Sequence, residues 1–330
     1  MSTSKLIWIL AGNRRGDNNQ MLALAEALGL PFEIKILAYN PLHHLPPLRR
    51  GLLHVERRAR ASIKPPWPDL VIAIGANSPP VARYIRRRSG GRTRLVQIGD
   101  PRSAIHDLDL LITTPQFIRP VAANILALPF PIGDPARSVT VSRDEEQWIR
   151  SYPTPRRLIA VGGSTRKWKL DDKALGQAIS LLQARSSADG GSVIAVTSPR
   201  TSRGTRRLLD DRLGEAVVGD FPRFGALLAR SDEIYVTADS VSMLSEAILT
   251  GKPVGMIEIS RTLKGSISNA ARRLGIPSRA DLSRFWRFLK ANNLIGTVEA
   301  PVASSVEDTV SIAADAVRRV VERAADVNGR

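Results

Sequence analysis

Short apolar runs alternate with amphipathic stretches along most of this chain, and their lengths set the elements. Leu6–Gly12 is an apolar run of strand length, followed by a polar loop, Asn13–Asn19, and a helix from about Gln20 to Leu28 that stops at Gly29. Phe32–Ala38 predicts a second strand. Asp69–Gly75 (DLVIAIG) is continuously apolar, as a strand buried on both faces is. Asn77 and Ser78 are positioned to cap the next helix, and Thr93–Gly99 and Leu108–Thr113 predict two more strands. The run Ala127–Arg157 breaks the pattern with Pro129, Pro131, Pro135, Pro153 and Pro155 and one short helical piece, Arg143–Arg150.

The same grammar then restarts. Arg157–Val161 predicts a strand, Asp171–Ala184 a helix, Ser192–Thr197 and Glu233–Thr237 two strands, and Pro253–Ile257 another. Between the last two lies ADSVSMLSEAILTG. Asp239 and Ser240 are candidate caps, Met243, Leu244, Ala247 and Ile248 form an apolar stripe, and Gly251 is a stop. Ser305–Ala325 predicts a closing amphipathic helix with Val306, Val310, Ala313, Val317 and Val320 on one face. Repeated βα alternation predicts parallel, doubly wound sheets with ligands at the carboxyl ends of the strands. The expected division is 1–140 as a first α/β domain, 141–156 as a hinge, 157–304 as a second, and 305–330 as a helix packing back across the junction.

Charge changes this picture more than composition does. Lys and Arg number 48 against 31 Asp and Glu, a formal charge of +17 with a sequence pI near 11.1, which implies anionic partners. Cysteine is absent, which excludes disulfides and thiolate metal sites and fits a reducing compartment. His43, His44, His54 and His106 lack ligand spacing, so no metal and no cofactor is expected. The first apolar run is short and lacks a cleavage pattern. No stretch approaches the roughly 18 apolar residues of a membrane span. The expectation is a cytoplasmic protein, at most peripheral on the inner face of the cytoplasmic membrane.

Three strand-end loops carry the candidate chemistry. In Ala11–Gln20 (AGNRRGDNNQ), Gly12 and Gly16 permit close backbone approach, with Arg15, Asn19 and Gln20 beside them. Asp17 is the loop's one carboxylate, fit to take a proton from an attacking hydroxyl or, alternatively, to cap the helix. The spacing is not G-x-G-x-x-G, which disfavours a nicotinamide enzyme. In Val161–Asp172 (VGGSTRKWKLDD), Gly162, Gly163, Ser164 and Thr165 offer N–H and hydroxyl donors to a phosphate that Arg166, Lys167 and Lys169 would neutralise, although the stretch also fits a solvated basic turn. It lacks the Walker A spacing. Thr197–Arg207 adds Arg200, Arg203, Arg206 and Arg207. The helix after Glu233–Thr237 aims its N-terminus outward, suiting a diphosphate, and Glu246 could accept from ribose hydroxyls.

Taken in order, AGNRRGDNNQ, PDLVIAIG, VQIGDPR, VGGST, VTSPRTS and TADSVSMLSEAILTGKPV resemble the bacterial branch of the elongated-mitochondria, or mitochondrial fission factor, family across essentially the whole chain. The resemblance implies a GT-B-like fold, two Rossmann-like domains facing across a cleft. It also implies a nucleotide-sugar donor, with Gly163, Ser164 and Thr165 near its phosphates and Glu246 near its ribose. Two departures stand out. Many members have Gly-His where this chain has Gly16-Asp17, and His-Asp where it has Gln116-Phe117, so a loop base would have to be Asp17. The wider GT-B pattern of two glutamates eight positions apart meets Ala238 here, with Asp239 beside it.

On this reading the protein transfers a sugar to a lipid-linked or lipopolysaccharide-type acceptor of the cell envelope, metal-independently and with inversion. The alternatives are a non-catalytic partner-binding protein on the same scaffold, or a nucleotide-sugar epimerase or hydrolase. Arg49, Arg50, Arg57, Arg58, Arg86, Arg87 and Arg88, all in the first half, form a candidate contact with an anionic membrane surface, or else a solvated basic face. Aromatic residues are 5% of the chain and do not interleave with these arginines, which disfavours nucleic acid.

Overall fold

In the computed structural model the chain forms two units, Met1–Asp134 with Asp308–Arg330, and Pro135–Glu307. The structure describes every residue except 1–4, 46–49, 118–120, 134–139, 275–279 and 329–330. For residues 15, 271–273 and 324–328 it describes the backbone alone.

The first unit opens with β1 (Ile7–Ala11), α1 (Arg15–Leu28) and β2 (Phe32–Ile36), then α2 (Arg57–Ala61), β3 (Leu70–Ile74), α3 (Pro79–Arg88), β4 (Arg94–Ile98), β5 (Leu110–Thr113) and β6 (Ile125–Ala127). Its sheet has the order β2-β1-β3-β4-β5-β6, every pair parallel, with Ile9 opposite Ile34 on one side and Ile72 on the other. Every residue of β1 is buried, because helices cover both faces. Ile7 and Ile9 pack with Met21, Leu24 and Leu28 of α1, while Trp8 and Leu10 join Val81 and Ile85 of α3.

The second unit comprises α4 (Arg143–Arg150), β7 (Arg156–Val161), β8 (Trp168–Lys169), α5 (Asp172–Asp189), β9 (Ser192–Thr197), α6 (Arg203–Leu213), β10 (Val217–Val218), α7 (Phe224–Arg230), β11 (Glu233–Thr237), α8 (Val241–Ile248), β12 (Val254–Ile257), β13 (Ser260–Arg261), α9 (Leu263–Arg273) and α10 (Leu282–Ala291). The sheet order is β10-β9-β7-β11-β12, again all parallel, and β8 pairs antiparallel with β13. Ile159 and Val161 pack on Leu175, Ile179 and Leu182 of α5. The last helix, α11 (Thr309–Asn328), belongs to the first unit and buries Val310, Ala313, Ala314 and Val317 in the same core as α1.

The structure departs from the sequence-based expectation in several places. Helix α1 starts at Arg15, so Gly16, Asp17, Asn19 and Gln20 lie in its first turns and not in a loop. Its N-cap, Arg14, makes no side-chain cap bond, so the usual cap signal was absent. Ser78 does not cap α3: its hydroxyl donates to the Ile74 carbonyl at 2.8 Å. Within the expected hinge 141–156 the helical piece read at Arg143–Arg150 is present as α4, opened by a Ser142–Glu145 capping box. Glu145 is held by Arg223 at 2.6 Å, so α4 is bonded within the second unit. The closing helix begins at Thr309, leaving Val306 outside it.

Candidate functional site

The carboxyl ends of β7, β9 and β11 are neighbours only because β7 is the central strand of the three, and one carboxylate ties their exits together. Asp239, two residues beyond β11, is buried. Its Oδ2 accepts from the Gly163 amide at 2.9 Å and from the Arg200 guanidinium at 2.9 Å, and its Oδ1 from the Thr237 hydroxyl at 2.7 Å. The Thr237 hydroxyl oxygen in turn accepts from the Gly162 amide at 2.8 Å. Thr201 donates to the Val161 and Gly162 carbonyls at 3.0 and 2.7 Å. Trp286, from α10, donates its indole N–H to the Ala238 carbonyl at 2.9 Å and packs edge-on against Trp168.

This geometry explains the two glycines and corrects their assigned role. A Cβ on Gly162 would lie 2.2 Å from the Asp239 carboxylate, and one on Gly163 would lie 2.0 Å from the Arg200 carbonyl oxygen. Close approach is therefore to the protein's own loops, and both amides are already bonded within the unit. Asp239 does not cap α8. Ser240 alone does, accepting from the Met243 amide at 3.3 Å. Thr165 and Lys167 are taken up by the turn that leads into β8: the Thr165 amide donates to the Trp168 carbonyl at 2.7 Å, and the Lys167 carbonyl accepts from the Thr262 amide at 3.0 Å.

Several groups remain that can meet an anion. The Arg200 guanidinium donates from one nitrogen to Asp239 and from another to the Gly163 carbonyl at 3.4 Å, yet the side chain is 46% exposed. The exposed Ser164 hydroxyl accepts from Leu170 and keeps its proton for a ligand. The first-turn amides of α8, at Val241 and Ser242, have no intrahelical acceptors, and the helix dipole points its positive end there. Glu246, about 6–8 Å further along α8, keeps an exposed surface. The protein around it nevertheless desolvates its carboxyl, which is pushed up to about 7.

In the first unit, Asn18 reads both polar atoms of the Gly12 residue, accepting from its amide at 3.0 Å and donating to its carbonyl at 2.8 Å, which fastens α1 to the end of β1. Neither Gly12 nor Gly16 has a positive φ, and a Cβ on either would meet nothing within 4 Å, so neither glycine is required for close approach. Asp17, in the first turn of α1, makes no cap bond. Burial raises its carboxyl above the ordinary value, against the pull of Arg14. Asn19 is exposed and Gln20 half-buried, while the Arg15 side chain lies outside the described residues.

Among the basic residues singled out from sequence, Arg50, Arg57, Arg58, Arg87 and Arg88 are exposed, and Arg49 lies outside the described residues. Arg86 is not part of an open face. It pairs with Asp109 and donates to the Thr93 and Asp107 carbonyls at 2.9 and 2.5 Å, fixing α3 to the sheet. Among the described residues no cluster of His, Asp or Glu could hold a metal ion, and no helix is long and apolar enough to cross a membrane. Sequence reasoning missed Thr237, Thr201 and Trp286. Their signals, a Thr ending a buried strand and a Trp on an amphipathic helix, have many structural meanings.

The profile of the family described as mitochondrial fission ELM1 matches residues 15–319. An uncharacterised protein of Rickettsia prowazekii is 26% identical over 291 residues, covering 75% of this chain and 82% of the relative. The mitochondrial fission protein ELM1 of Arabidopsis thaliana is 27% identical over 233 residues, covering 60% of this chain and 53% of its own length. Among solved structures, a UDP-N-acetylglucosamine 2-epimerase from Rickettsia bellii aligns with a TM-score of 0.51 at 14% identity, covering 98% of both chains. A UDP-glucosyltransferase from Polygonum tinctorium aligns at 0.50 and 11%, covering 97% and 100%. These likenesses establish the GT-B fold shared by such glycosyltransferases and epimerases.

Proposed function

The chain belongs to the mitochondrial fission ELM1 family, and from that premise we propose that it is a nucleotide-sugar enzyme, a metal-independent, inverting glycosyltransferase with a lipid-linked acceptor of the cell envelope. The observation that carries this reading is the Asp239 hub. One buried carboxylate holds Arg200 and the Gly163 amide by hydrogen bonds, and it lies one residue before Ser240, the N-cap of α8. A departing nucleoside diphosphate would meet a guanidinium, a hydroxyl and helix N-terminal amides there. These supply the charge stabilisation that some transferases take from a metal. In the transfer, the acceptor oxygen bonds to the anomeric carbon, the bond from that carbon to the diphosphate oxygen breaks, and the acceptor proton passes to a carboxylate. Asp17, the carboxylate singled out from the sequence, is the candidate base.

One observation favours a second reading, a partner-binding protein without turnover: the Gly162 and Gly163 amides are already bonded to Thr237 and Asp239 and cannot bind a phosphate. Thermal-shift titration with UDP, GDP, CMP and their sugar conjugates separates the two. A ligand at a hundred times its dissociation constant adds about 2.7 kcal/mol. The expected result is a shift with one nucleotide that Arg200→Ala abolishes. No shift with any nucleotide would reject the enzyme reading, and consumption of the sugar nucleotide without an acceptor would mark an epimerase or hydrolase.

A further inference from the structure

Helix α9 turns its apolar side outward. Leu263, Ile267 and Ala270 share one helical face, and Leu274, one residue past the end of α9, continues it, its amide still donating to the Ala270 carbonyl at 3.1 Å. Leu263, Ile267 and Leu274 are 79%, 62% and 83% exposed, and Ala270 is exposed with them. The opposite side of the helix carries Gly265, seated so closely that a Cβ there would lie 2.1 Å from the Lys167 carbonyl oxygen. A helix on a water-facing surface normally does the reverse, burying its apolar stripe.

A second observation concerns charge. From Ile259 to Ala280 the chain carries Arg261, Lys264, Arg272, Arg273 and Arg279 and no acidic residue. Another cationic segment is fastened to the same helix: the Thr262 amide donates to the Lys167 carbonyl at 3.0 Å, and the Thr262 hydroxyl to the Arg166 carbonyl at 2.8 Å. Arg166, Lys167, Lys169 and Lys264 are all exposed, and the Arg261 guanidinium stacks over the Trp168 ring at 4.3 Å.

We propose that α9 and the 166–169 segment dock on an anionic phospholipid bilayer. The Leu263–Ile267–Leu274 stripe would enter the boundary between headgroups and acyl chains, and the surrounding cations would meet lipid phosphates. The charge pattern selects this occupant. A second copy joined through the same face would set the exposed Arg166, Lys167, Lys169 and Lys264 against their own image, and nucleic acid has no use for an aliphatic stripe. The surface is on the second unit and does not involve Arg50, Arg57, Arg58, Arg87 or Arg88 of the first.

Co-sedimentation of the full chain tests this, using vesicles of phosphatidylcholine alone and of phosphatidylcholine mixed with phosphatidylglycerol. The wild type is expected to bind the mixed vesicles and not the neutral ones, with binding weakened by salt. Lys264→Glu and the double variant Leu263→Ser/Ile267→Ser should each lower the partition coefficient about tenfold or more. All three positions are exposed, so unchanged melting temperatures show that the variants fold. The proposal is overturned if the wild type ignores anionic vesicles. It is also overturned if these variants bind normally while Arg57→Glu/Arg58→Glu does not, which would place the contact on the first unit. Sedimentation-equilibrium dimers that the double variant dissolves would make the occupant a second copy.

Discussion

Glu246 has no hydrogen-bond or ion-pair partner among the described residues, and desolvation alone pushes its carboxyl from the ordinary 4.5 up to about 7. Between those two values the folded protein keeps a proton that the unfolded chain has released, so this group makes stability fall as pH rises toward 7. The side chain retains exposed surface, and screening reduces the effect to about 1 kcal/mol or less. Glu246→Gln should therefore gain up to about 1 kcal/mol over the wild type near pH 8 and nothing near pH 4 in paired urea titrations. If the carboxylate accepts from ribose hydroxyls, wild-type nucleotide affinity should also rise as the pH passes 7, and the Gln variant should be flat. An unchanged stability difference across that range would show that Glu246 titrates as a solvated acid.

Among elements, the turn after α8 shows how a motif and its work come apart. Gly251–Val254 is part of the most distinctive family-like stretch, yet the Lys252 ammonium donates to the carbonyls of Leu228, Ala229 and Ser231 at 2.8, 2.8 and 2.6 Å. These lie at the C-terminal end of α7, where helix carbonyls lack partners and a cation is favoured. Lys252→Met keeps the stem and removes the donor. It should cost about 2–3 kcal/mol in urea unfolding while leaving binding at saturating nucleotide intact; the opposite pattern would make Lys252 a ligand contact. The strands themselves were legible because a strand buried on both faces is a continuous apolar run, as Leu70–Ile74 is and as Val193 to Val196 are within β9. The first turn of α1 was not, since Arg14 to Asn19 is wholly polar and uncapped. Gly162, Gly163, Arg200 and Asp239 were individually readable. Their partners were not, because residues 162, 200 and 239 meet only once β9, β7 and β11 lie side by side, and Arg86 looked free until the sheet brought Asp109 beneath it.

For the whole molecule, the consequential fact is that the last helix belongs to the first unit. Residues 135–307 are one contiguous piece with a five-stranded sheet of its own, whereas the first unit is assembled from both ends of the chain. Its final helix, α11, is bound by more than apolar packing: Arg318 donates to the Ala27 carbonyl at 2.6 Å, and Lys5 to the Val321 carbonyl at 3.2 Å. Deleting residues 308–330 would uncover Met21, Leu24, Val96 and Ile112, which share a core with Val310, Ala313, Ala314 and Val317. At roughly 1.5 kcal/mol or more for each large apolar side chain returned to water, the loss approaches the 5–15 kcal/mol that stabilises an ordinary domain. Residues 1–307 should therefore lose hydrogen-exchange protection in β1, β3 and β4 while keeping it in β7, β9 and β11. Residues 135–307 alone should melt cooperatively and bind whichever nucleotide shifts the full chain. Protection retained throughout the first sheet would show that α1 and α3 suffice to close that core. A contiguous piece that fails to fold would show that the second unit draws its stability from the first.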